Sequence, residues 1–190
     1  MRTMLAAAAA LTLASPAVAR DWMVDKAASR VGFQASVNGQ AISGQFRRYD
    51  ARIFFDPADL KTARVAVAID MASAESGDPT RDQALPTSDW FAAPSFARAT
   101  FVTRSITARE PGAYVANGVL TIRGVAKPVA LPFTLAIRDG VARMNGRLTI
   151  DRTAFGVGQG QWQSANPVAL NVIVAVQVTA RAAAPGKPTR

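Results

Sequence analysis

Two acidic residues, Asp70 and Glu75, are spaced closely enough to suggest a carboxylate pair for acid–base chemistry. Glycoside hydrolases use such a pair on either side of the scissile bond. Here Asp70 ends an alternating apolar run, Glu75 lies in the Ser/Ala-rich loop after it, and no other polar residue marks them. The neighbouring charges in Arg81-Asp82 and Asp151-Arg152 are more typical of structural ion pairs or turn hydrogen bonds than of catalysis.

Histidine and cysteine are both absent from the 190 residues of the chain. Their absence excludes a Ser-His-Asp triad, a cysteine nucleophile, a disulfide and any imidazole or thiolate metal site. A metal would need a cage of oxygen ligands. The glycine-rich run Gly156-Val-Gly-Gln-Gly160 lacks the lysine and the strand-to-helix setting of a phosphate loop, so turn or bulge glycines explain it better. We therefore expect no enzyme activity, no catalytic residue, no metal and no cofactor.

The first 19 residues have the pattern of a cleaved export signal. Arg2 precedes an apolar run, and Ala17-Val18-Ala19 supplies the small-x-small cleavage site. The run is too short for a membrane span, which takes about 20 residues. We expect residues 1–19 to be a signal peptide, 20–181 a single soluble, exported domain, and 182–190, rich in Pro, Gly and Lys, a flexible tail.

The elements that would position any functional side chain are almost all strands, because apolar residues recur at every second position. One short helix is expected near Asp78-Pro79, where an N-cap residue precedes a proline, and Asp89-Trp90-Phe91 follows it. The predicted strands Val129–Ile137 and Ala142–Ile150 are joined through Arg138-Asp139-Gly140 as a hairpin. The eight predicted strands are Val31–Val37, Phe46–Phe55 with a bulge near Arg47-Arg48, Val65–Ile69, Ala99–Thr103, Tyr114–Ile122, Val129–Ile137, Ala142–Ile150 and Val168–Ala180.

Eight antiparallel strands with one apolar face each must close into a barrel or stack as a sandwich. A barrel of this size is either filled by side chains or holds one small ligand. Its apolar face mixes large residues such as Phe101 and Phe133 with small ones such as Ala116 and Gly146. The pattern alone favours a solid core of complementary large and small side chains, with an open channel as the alternative.

The net charge of +9 raises nucleic acid and an anionic membrane surface as partners. The basic residues are scattered singly or in pairs without interleaved aromatics, which together with export argues against nucleic acid. Weak contact with an anionic membrane surface would suit a lipid carrier, although an ordinary solvated basic surface explains the charge more simply.

The segment Gly118–Pro132, with the sequence GVLTIRGVAKPVALP, is the most distinctive of six short motifs that, in order along the chain, resemble the YceI-like family of periplasmic polyisoprenoid-binding proteins. The other five are Val24-Asp25 with Ser29 and Val31-Gly32-Phe33; Gly44-x-Phe46 and Ile53-x-Phe55-Asp56-Pro57; Arg81-Asp82 with Leu85; Asp89-Trp90-Phe91; and Asp151-Arg152-Thr153-x-Phe155-Gly156. The resemblance covers about Asp21 to Ala180.

The resemblance implies an all-β, eight-stranded antiparallel lipocalin-like β-barrel, with one short helix between strands 3 and 4. It also implies an apolar tunnel that holds an isoprenoid lipid or a quinone tail, which reverses the preference for a solid core. Many relatives have a histidine where this chain has Ala28, and the pattern is closer to relatives linked to membrane b-type cytochromes. The main hypothesis is a non-catalytic carrier of isoprenoid lipid. The alternative is an accessory protein that docks on a membrane cytochrome b, with the lipid as structural filler.

A tunnel of this kind would bind its ligand by excluding water, so its site residues would be apolar. Trp90 and Phe91 are expected at one mouth. The predicted lining consists of Phe33, Phe46, Phe101, Leu120, Ile122, Phe133, Leu135, Met144, Leu148, Val172 and Val174.

Overall fold

The computed structural model describes residues 20–183, which form eleven strands, one α-helix and three short 3-10 helices. The proposed signal peptide and all but the first two residues of the tail lie outside this range. The strands are β1 (Arg20–Val24), β2 (Arg30–Val37), β3 (Gln40–Phe46), β4 (Tyr49–Phe55), β5 (Arg64–Asp70), β6 (Ala74–Glu75), β7 (Arg98–Glu110), β8 (Ala113–Ile122), β9 (Val125–Arg138), β10 (Val141–Asp151) and β11 (Asn171–Ala182). The α-helix α1 spans Pro79–Ala84, and the 3-10 helices span Met71–Ser73, Thr153–Phe155 and Gly160–Trp162.

Eight of the strands close into an antiparallel barrel, which confirms the predicted fold. The ring runs β1-β4-β5-β7-β8-β9-β10-β11, and β1 closes it by pairing with β11. Val24 lies opposite Ala180 at this junction, and Trp22 lies opposite Ile53 on the other side of β1. We call this closed part of the molecule the lower half.

The remaining three strands extend the molecule beyond the ring. The first half of β11 pairs with β2, which pairs with β3, which in turn pairs with β6. In this upper half, β10, β11, β2, β3 and β6 form one wall, and β5, β7, β8 and β9 form the other. The two walls are not joined by a continuous ladder, so other segments must cover the space between them.

The prediction of one strand from Phe46 to Phe55 was wrong in detail, because the chain breaks where a bulge was expected. β3 ends at Phe46 and β4 begins at Tyr49. Between them, the Arg47 amide donates to Ser73 O (3.0 Å), and Arg48 O accepts from the Asp70 amide (2.9 Å). The break lets the chain leave the upper wall and join the ring. β1, β6 and all of β3 except Phe46 were also missed, and the last strand begins at Asn171 rather than Val168.

Tight turns fix the register of three hairpins. Asn38-Gly39, Arg123-Gly124 and Asp139-Gly140 each place two consecutive residues at positive φ, between 51° and 78°. This is the conformation of a type I′ turn, whose twist matches that of the flanking strands. The predicted turn through Asp139-Gly140 is therefore confirmed. It aligns Val141 with Arg138 and sets the inward face of β10.

The single α-helix begins as the sequence predicts. The Asp78 side chain accepts a hydrogen bond from the Arg81 amide (2.9 Å), and Pro79 occupies the first helical turn. Within residues 20–183, no helix has the length and apolar character needed to cross a membrane.

Candidate ligand-binding cavity

Two apolar cavities follow one another inside the barrel. The lower chamber, inside the closed ring, has a volume of about 160 Å³, and the upper chamber, between the two walls, about 330 Å³. Ile69, Leu120 and Val174 line both chambers, which places the junction between them. The two chambers together form an elongated apolar space rather than a filled core.

The lower chamber is almost free of polar groups. Among its lining residues only Trp22, Tyr49 and Thr103 have a polar side-chain atom, and the Thr103 hydroxyl is committed to the Val65 backbone, accepting from its amide at 2.9 Å. Trp22, whose ring also lines the chamber, donates its indole N–H to Phe55 O (3.0 Å). The walls therefore offer no free acid–base pair.

Tyr49 is the exception among the buried polar groups. Its side chain is 7% exposed, and its hydroxyl has no hydrogen-bond partner within residues 20–183. Burial raises the pKa of this phenol above its ordinary value. Tyr49 is therefore neutral at physiological pH and leaves one donor unused in the lower half.

Two segments cover the upper chamber: residues 85–97, which follow α1, and residues 152–170, which precede β11. Aromatic rings from these covering segments and from β2 and β3 line the chamber. The rings of Phe33 and Phe46 lie 5.6 Å apart, and those of Phe46 and Phe91 5.8 Å apart. At the far side of the chamber, the ring centres of Trp90 and Trp162 lie 5.5 Å apart. Such tilted pairs add a small stabilisation to their burial. The Phe46–Phe91 pair joins β3 to the segment after α1, and the Trp90–Trp162 pair joins that segment to the loop that precedes β11.

Arg152 is buried at the edge of the upper chamber, with 3% of its surface exposed. Its guanidinium donates four hydrogen bonds of 2.8–3.0 Å to backbone carbonyls in the loop between β10 and β11, those of Val157, Ser164, Val168 and Ala169. It takes part in none of the ion pairs found in residues 20–183. Burial lowers its pKa from the ordinary value, while Asp151 opposes this shift.

Arg152 thus holds the loop, and of the two alternatives that the sequence left open for Asp151-Arg152, an ion pair or turn hydrogen bonds, the structure shows the hydrogen bonds. Asp151 accepts hydrogen bonds from the Thr153 amide and hydroxyl, which lower the pKa of its carboxyl. The guanidinium also lies 5.7 Å from the centre of the Trp90 ring. This contact links the loop to the segment after α1.

A second arginine fixes the segment that contains Trp90. Arg123, in the turn between β8 and β9, donates to the carbonyls of Ser88 (2.7 Å) and Trp90. The carbonyl of Asp89 accepts from the amides of Gly158 (2.8 Å) and Gln159 (2.7 Å). The two covering segments are therefore bonded to each other and to the barrel.

The acidic residues that could suggest catalysis have separate structural partners. Asp70 bonds Arg48 (2.9 Å), and Glu75 is paired with Arg47. Asp82 accepts from the amide and hydroxyl of Ser76, which lowers the pKa of its carboxyl. The chain contains no histidine or cysteine, and residues 20–183 contain no group of three acidic side chains that could hold a metal.

A seam interrupts the barrel wall beside the upper chamber. The pairing of β9 with β10 stops at Phe133, opposite Gly146. Above this point residues 125–132 of β9 pair with β8, and residues 147–151 of β10 pair with β11. We call the gap between these two stretches the seam. Pro128 and Pro132 have no amide donor, which reduces the ability of this edge to pair with another strand.

Side chains rather than backbone hydrogen bonds close the seam from inside. Val129 of β9 packs in the same apolar cluster as Leu148 and Ile150 of β10, together with Phe155. Leu148 lines the lower chamber, and Ile150 and Phe155 line the upper one. The seam is thus a stretch of the cavity wall that backbone hydrogen bonds between neighbouring strands do not close.

The family model of the YceI-like domain matches residues 22–181 of this chain. The chain belongs to the YceI-like family. Similar YceI-like sequences include a UPF0312 protein of Shewanella baltica, 27% identical over 185 residues that cover 91% of this chain and 96% of the relative. A UPF0312 protein of Vibrio cholerae is 27% identical over 135 residues, which cover 68% of this chain and 71% of the relative.

Solved structures show the same YceI-like barrel. BcnA of Burkholderia cenocepacia is 33% identical with a TM-score of 0.80, covering 82% of this chain and 98% of that one. The YCEI protein of Campylobacter jejuni is 23% identical with a TM-score of 0.69, and the match covers 76% of this chain and 86% of that one. A polyisoprenoid binding domain from Saccharophagus degradans, 13% identical with a TM-score of 0.68, covers 87% and 99% and shares the fold.

All thirteen residues predicted as ligand contacts line one of the two chambers of this YceI-like barrel. Their role in binding stays a prediction. Leu120 and Val174 line both chambers. Those in the lower chamber alone are Phe101, Phe133, Leu135, Met144 and Leu148, and those in the upper chamber alone are Phe33, Phe46, Trp90, Phe91, Ile122 and Val172.

Sequence reasoning missed the contribution of β1, β4 and β5 to the lower chamber. The missed residues include Trp22, Tyr49, Ile53, Phe55, Val65 and Val67. Their alternation in β4 and β5 was visible in the sequence and could have identified them. The positions of Arg152 and Trp162 carry no such periodic signal, because both belong to segments outside the strands.

Proposed function

We propose that this YceI-like protein is a non-catalytic carrier of a polyisoprenoid lipid, either an isoprenyl chain or the tail of a quinone. The observation that carries the proposal is the presence of two adjacent apolar chambers, which share Ile69, Leu120 and Val174 as wall residues. The Saccharophagus degradans domain, described as polyisoprenoid binding, supports the proposal through its fold.

The chemistry of such a ligand matches the walls. An isoprenoid chain has no hydrogen-bonding groups along its length, so water expulsion must supply most of its affinity. Burial contributes about 0.8 kcal/mol per CH₂ group, before the cost of ordering a flexible chain. Walls that are apolar apart from the Tyr49 hydroxyl lose little by taking in such a chain, whereas a polar ligand would leave most of its own groups unpaired.

The proposed place of action is the periplasm. Residues 1–19 have the pattern of a cleavable export signal, and a carrier there would exchange its lipid with a neighbouring membrane. Weak attraction to anionic headgroups belongs to the same proposal. Docking on a membrane cytochrome b remains the alternative. Loss of function on altering an exterior patch, with lipid binding intact, would favour it.

The test is to purify the protein from the periplasm and to identify what copurifies by native mass spectrometry and organic extraction. We expect a stoichiometric isoprenoid in the wild type. Phe133→Arg and Leu148→Arg place a charge in the lower chamber and should lower the lipid content at least about tenfold, since an unpaired buried charge costs well over 1.4 kcal/mol.

Two neighbouring substitutions serve as matched controls. Thr134→Arg and Thr149→Arg add the same side chain to the same strands at exposed, outward positions, and should retain the lipid. Val174→Trp, which narrows the junction without adding a charge, should also reduce binding if the arginine variants do not fold. A folded wild type that contains no lipid and binds neither added geranylgeraniol nor ubiquinone would contradict the proposal.

A further inference from the structure

The outward face of β8 and β9 forms an uncharged band on a strongly basic protein. Of the side chains that point outward from Val115 to Thr121 and from Ala126 to Ala136, none is charged. Lys127 has the opposite, inward phase, since it lies opposite Leu120. We call this face the neutral strip.

The neutral strip is partly apolar and accessible. Val119 lies between Val102 of β7 and Pro128 of β9 in one row across the strands. Val102 is 50% exposed, and Pro128, Ala130 and Pro132 are all exposed. A row of this kind on the outer face of a barrel offers a shallow apolar contact rather than a pocket.

Six exposed arginines flank the neutral strip on its two long sides. Arg98, Arg104 and Arg109 belong to β7, and Arg138, Arg143 and Arg147 lie at the end of β9 and on β10. None of the six takes part in an ion pair within residues 20–183. Where β9 and β10 are paired, strands about 4.8 Å apart place β7 about 14 Å from β10, within reach of a common surface for long arginine side chains.

Acidic residues are few around the strip and lie near the ends of its strands. Glu110 and Asp139 are in or beside turns, and Asp151 ends β10, where it is committed to Thr153. Asp70, opposite Arg98 on β5, is paired with Arg48. The six arginines are thus free to meet negative charge outside the molecule.

We propose that the neutral strip and its six flanking arginines dock this protein on an anionic lipid bilayer. Apolar side chains that enter the headgroup boundary, surrounded by arginines that meet anionic lipid, are the pattern of an interfacial membrane contact. The strip also borders the seam along Pro128–Pro132, so docking would bring to the membrane a part of the cavity wall that no strand pairing closes. This inference rests on the proposed lipid-carrier function, which gives the contact its purpose.

The test is cosedimentation of the mature protein with vesicles of phosphatidylethanolamine and phosphatidylglycerol, compared with vesicles of phosphatidylcholine alone. We expect binding to the anionic vesicles. Arg104→Glu combined with Arg147→Glu should weaken it at least about 25-fold, since each basic residue near an anionic surface contributes roughly fivefold. Ala130→Glu, on the strip itself, should weaken it several-fold.

Matched controls separate this face from net charge. Arg30→Glu combined with Arg52→Glu changes the net charge equally at exposed positions on β2 and β4, and Ala41→Glu adds a charge at an exposed alanine on β3. These should retain most of the binding. Equal loss in the controls, no binding of the wild type to anionic vesicles, or a strip-dependent dimer in their absence would each overturn the proposal.

Lipid content, measured by native mass spectrometry on the same variants, distinguishes the two proposals. The strip variants should keep their copurified isoprenoid, because none of the altered residues lines a chamber. Vesicle binding lost with the isoprenoid retained would support the docking face, whereas a wild type without isoprenoid would contradict the carrier function itself.

Discussion

At the scale of single residues, Gly158 shows how closely the loop is fitted to Arg152. Gly158 has a φ of +85°, and a Cβ atom added there would overlap Nη1 of Arg152. Gly160, two residues later, has a φ of +59° and nothing within 4 Å of its Cβ position. The two glycines therefore share the same backbone requirement but differ in their surroundings.

We expect Gly158→Ala to destabilise the protein by about 3 kcal/mol or more, and Gly160→Ala by only about 1 kcal/mol. Both substitutions place alanine at positive φ, which destabilises the folded state. Only Gly158→Ala also displaces a buried guanidinium from its carbonyl partners. Urea denaturation followed by tryptophan fluorescence gives both free energies of unfolding. Equal losses in the two variants would show that Arg152 adapts without cost.

The same scale shows what the sequence could reveal about individual side chains. Inward positions such as Phe133 and Leu148 follow from alternation alone, because a strand presents every second residue to one face. The role of Arg152 could not be predicted, since its partners include the carbonyls of Ser164 and Ala169, whose position depends on the fold of the whole loop. The adjacent opposite charges suggested an ion pair or turn hydrogen bonds, and the loop forms the hydrogen bonds.

At the scale of elements, the seam between β9 and β10 is where we expect ligand exchange to be controlled. Cross-linking Ala130→Cys to Thr149→Cys with a short bismaleimide would join the two edges, and the chain has no native cysteine to interfere. We expect the linked protein to release a bound fluorescent prenol at least about tenfold more slowly, which corresponds to 1.4 kcal/mol in the barrier.

The control for the seam uses the paired part of the same two strands. Thr134 and Asn145 lie opposite each other where β9 and β10 are hydrogen-bonded, so linking cysteines at these positions should leave the release rate unchanged. Stopped-flow transfer of the prenol to acceptor vesicles measures all four rates, linked and unlinked. Identical rates for the linked and unlinked seam variant would place the route of exchange elsewhere.

Elements were predicted well where a strand alternates without interruption and less well where the chain changes partner. The hairpin around Asp139-Gly140 and the capped helix at Asp78 depend on local residues, and both were predicted correctly. The seam was not predictable, because alternation in β9 continues through it while the neighbouring strand departs. Likewise, the break at Arg47-Arg48 depends on backbone bonds to Ser73 and Asp70.

At the scale of the whole molecule, the absence of histidine and cysteine determines how binding should respond to pH. Histidine is the side chain whose ordinary pKa lies between pH 5 and 8, so no lining residue changes charge there. We expect the affinity for a neutral prenol to vary less than about twofold between pH 5.5 and 8, as measured by fluorescence titration. A larger change would indicate a titrating group that contacts the ligand.

The free energy of unfolding should fall at acid pH and change little near neutral pH. Hydrogen bonds from Ser76, Thr153 and Lys26 hold the pKa values of Asp82, Asp151 and Asp50 below the ordinary carboxyl value. A depressed pKa in the folded state contributes stability above the unfolded value, about 4, which is lost as the pH falls through the folded value. These groups are exposed, so the acid dependence should be gradual.

The almost uniformly apolar walls of the lower chamber also affect how well ordered a bound chain would be. With the Thr103 hydroxyl committed to Val65, almost nothing in that chamber distinguishes one repeat of a prenyl chain from the next. A bound chain would therefore slide among several registers of nearly equal energy. It would keep part of its configurational entropy, and electron density for it would be a continuous rod without a defined end.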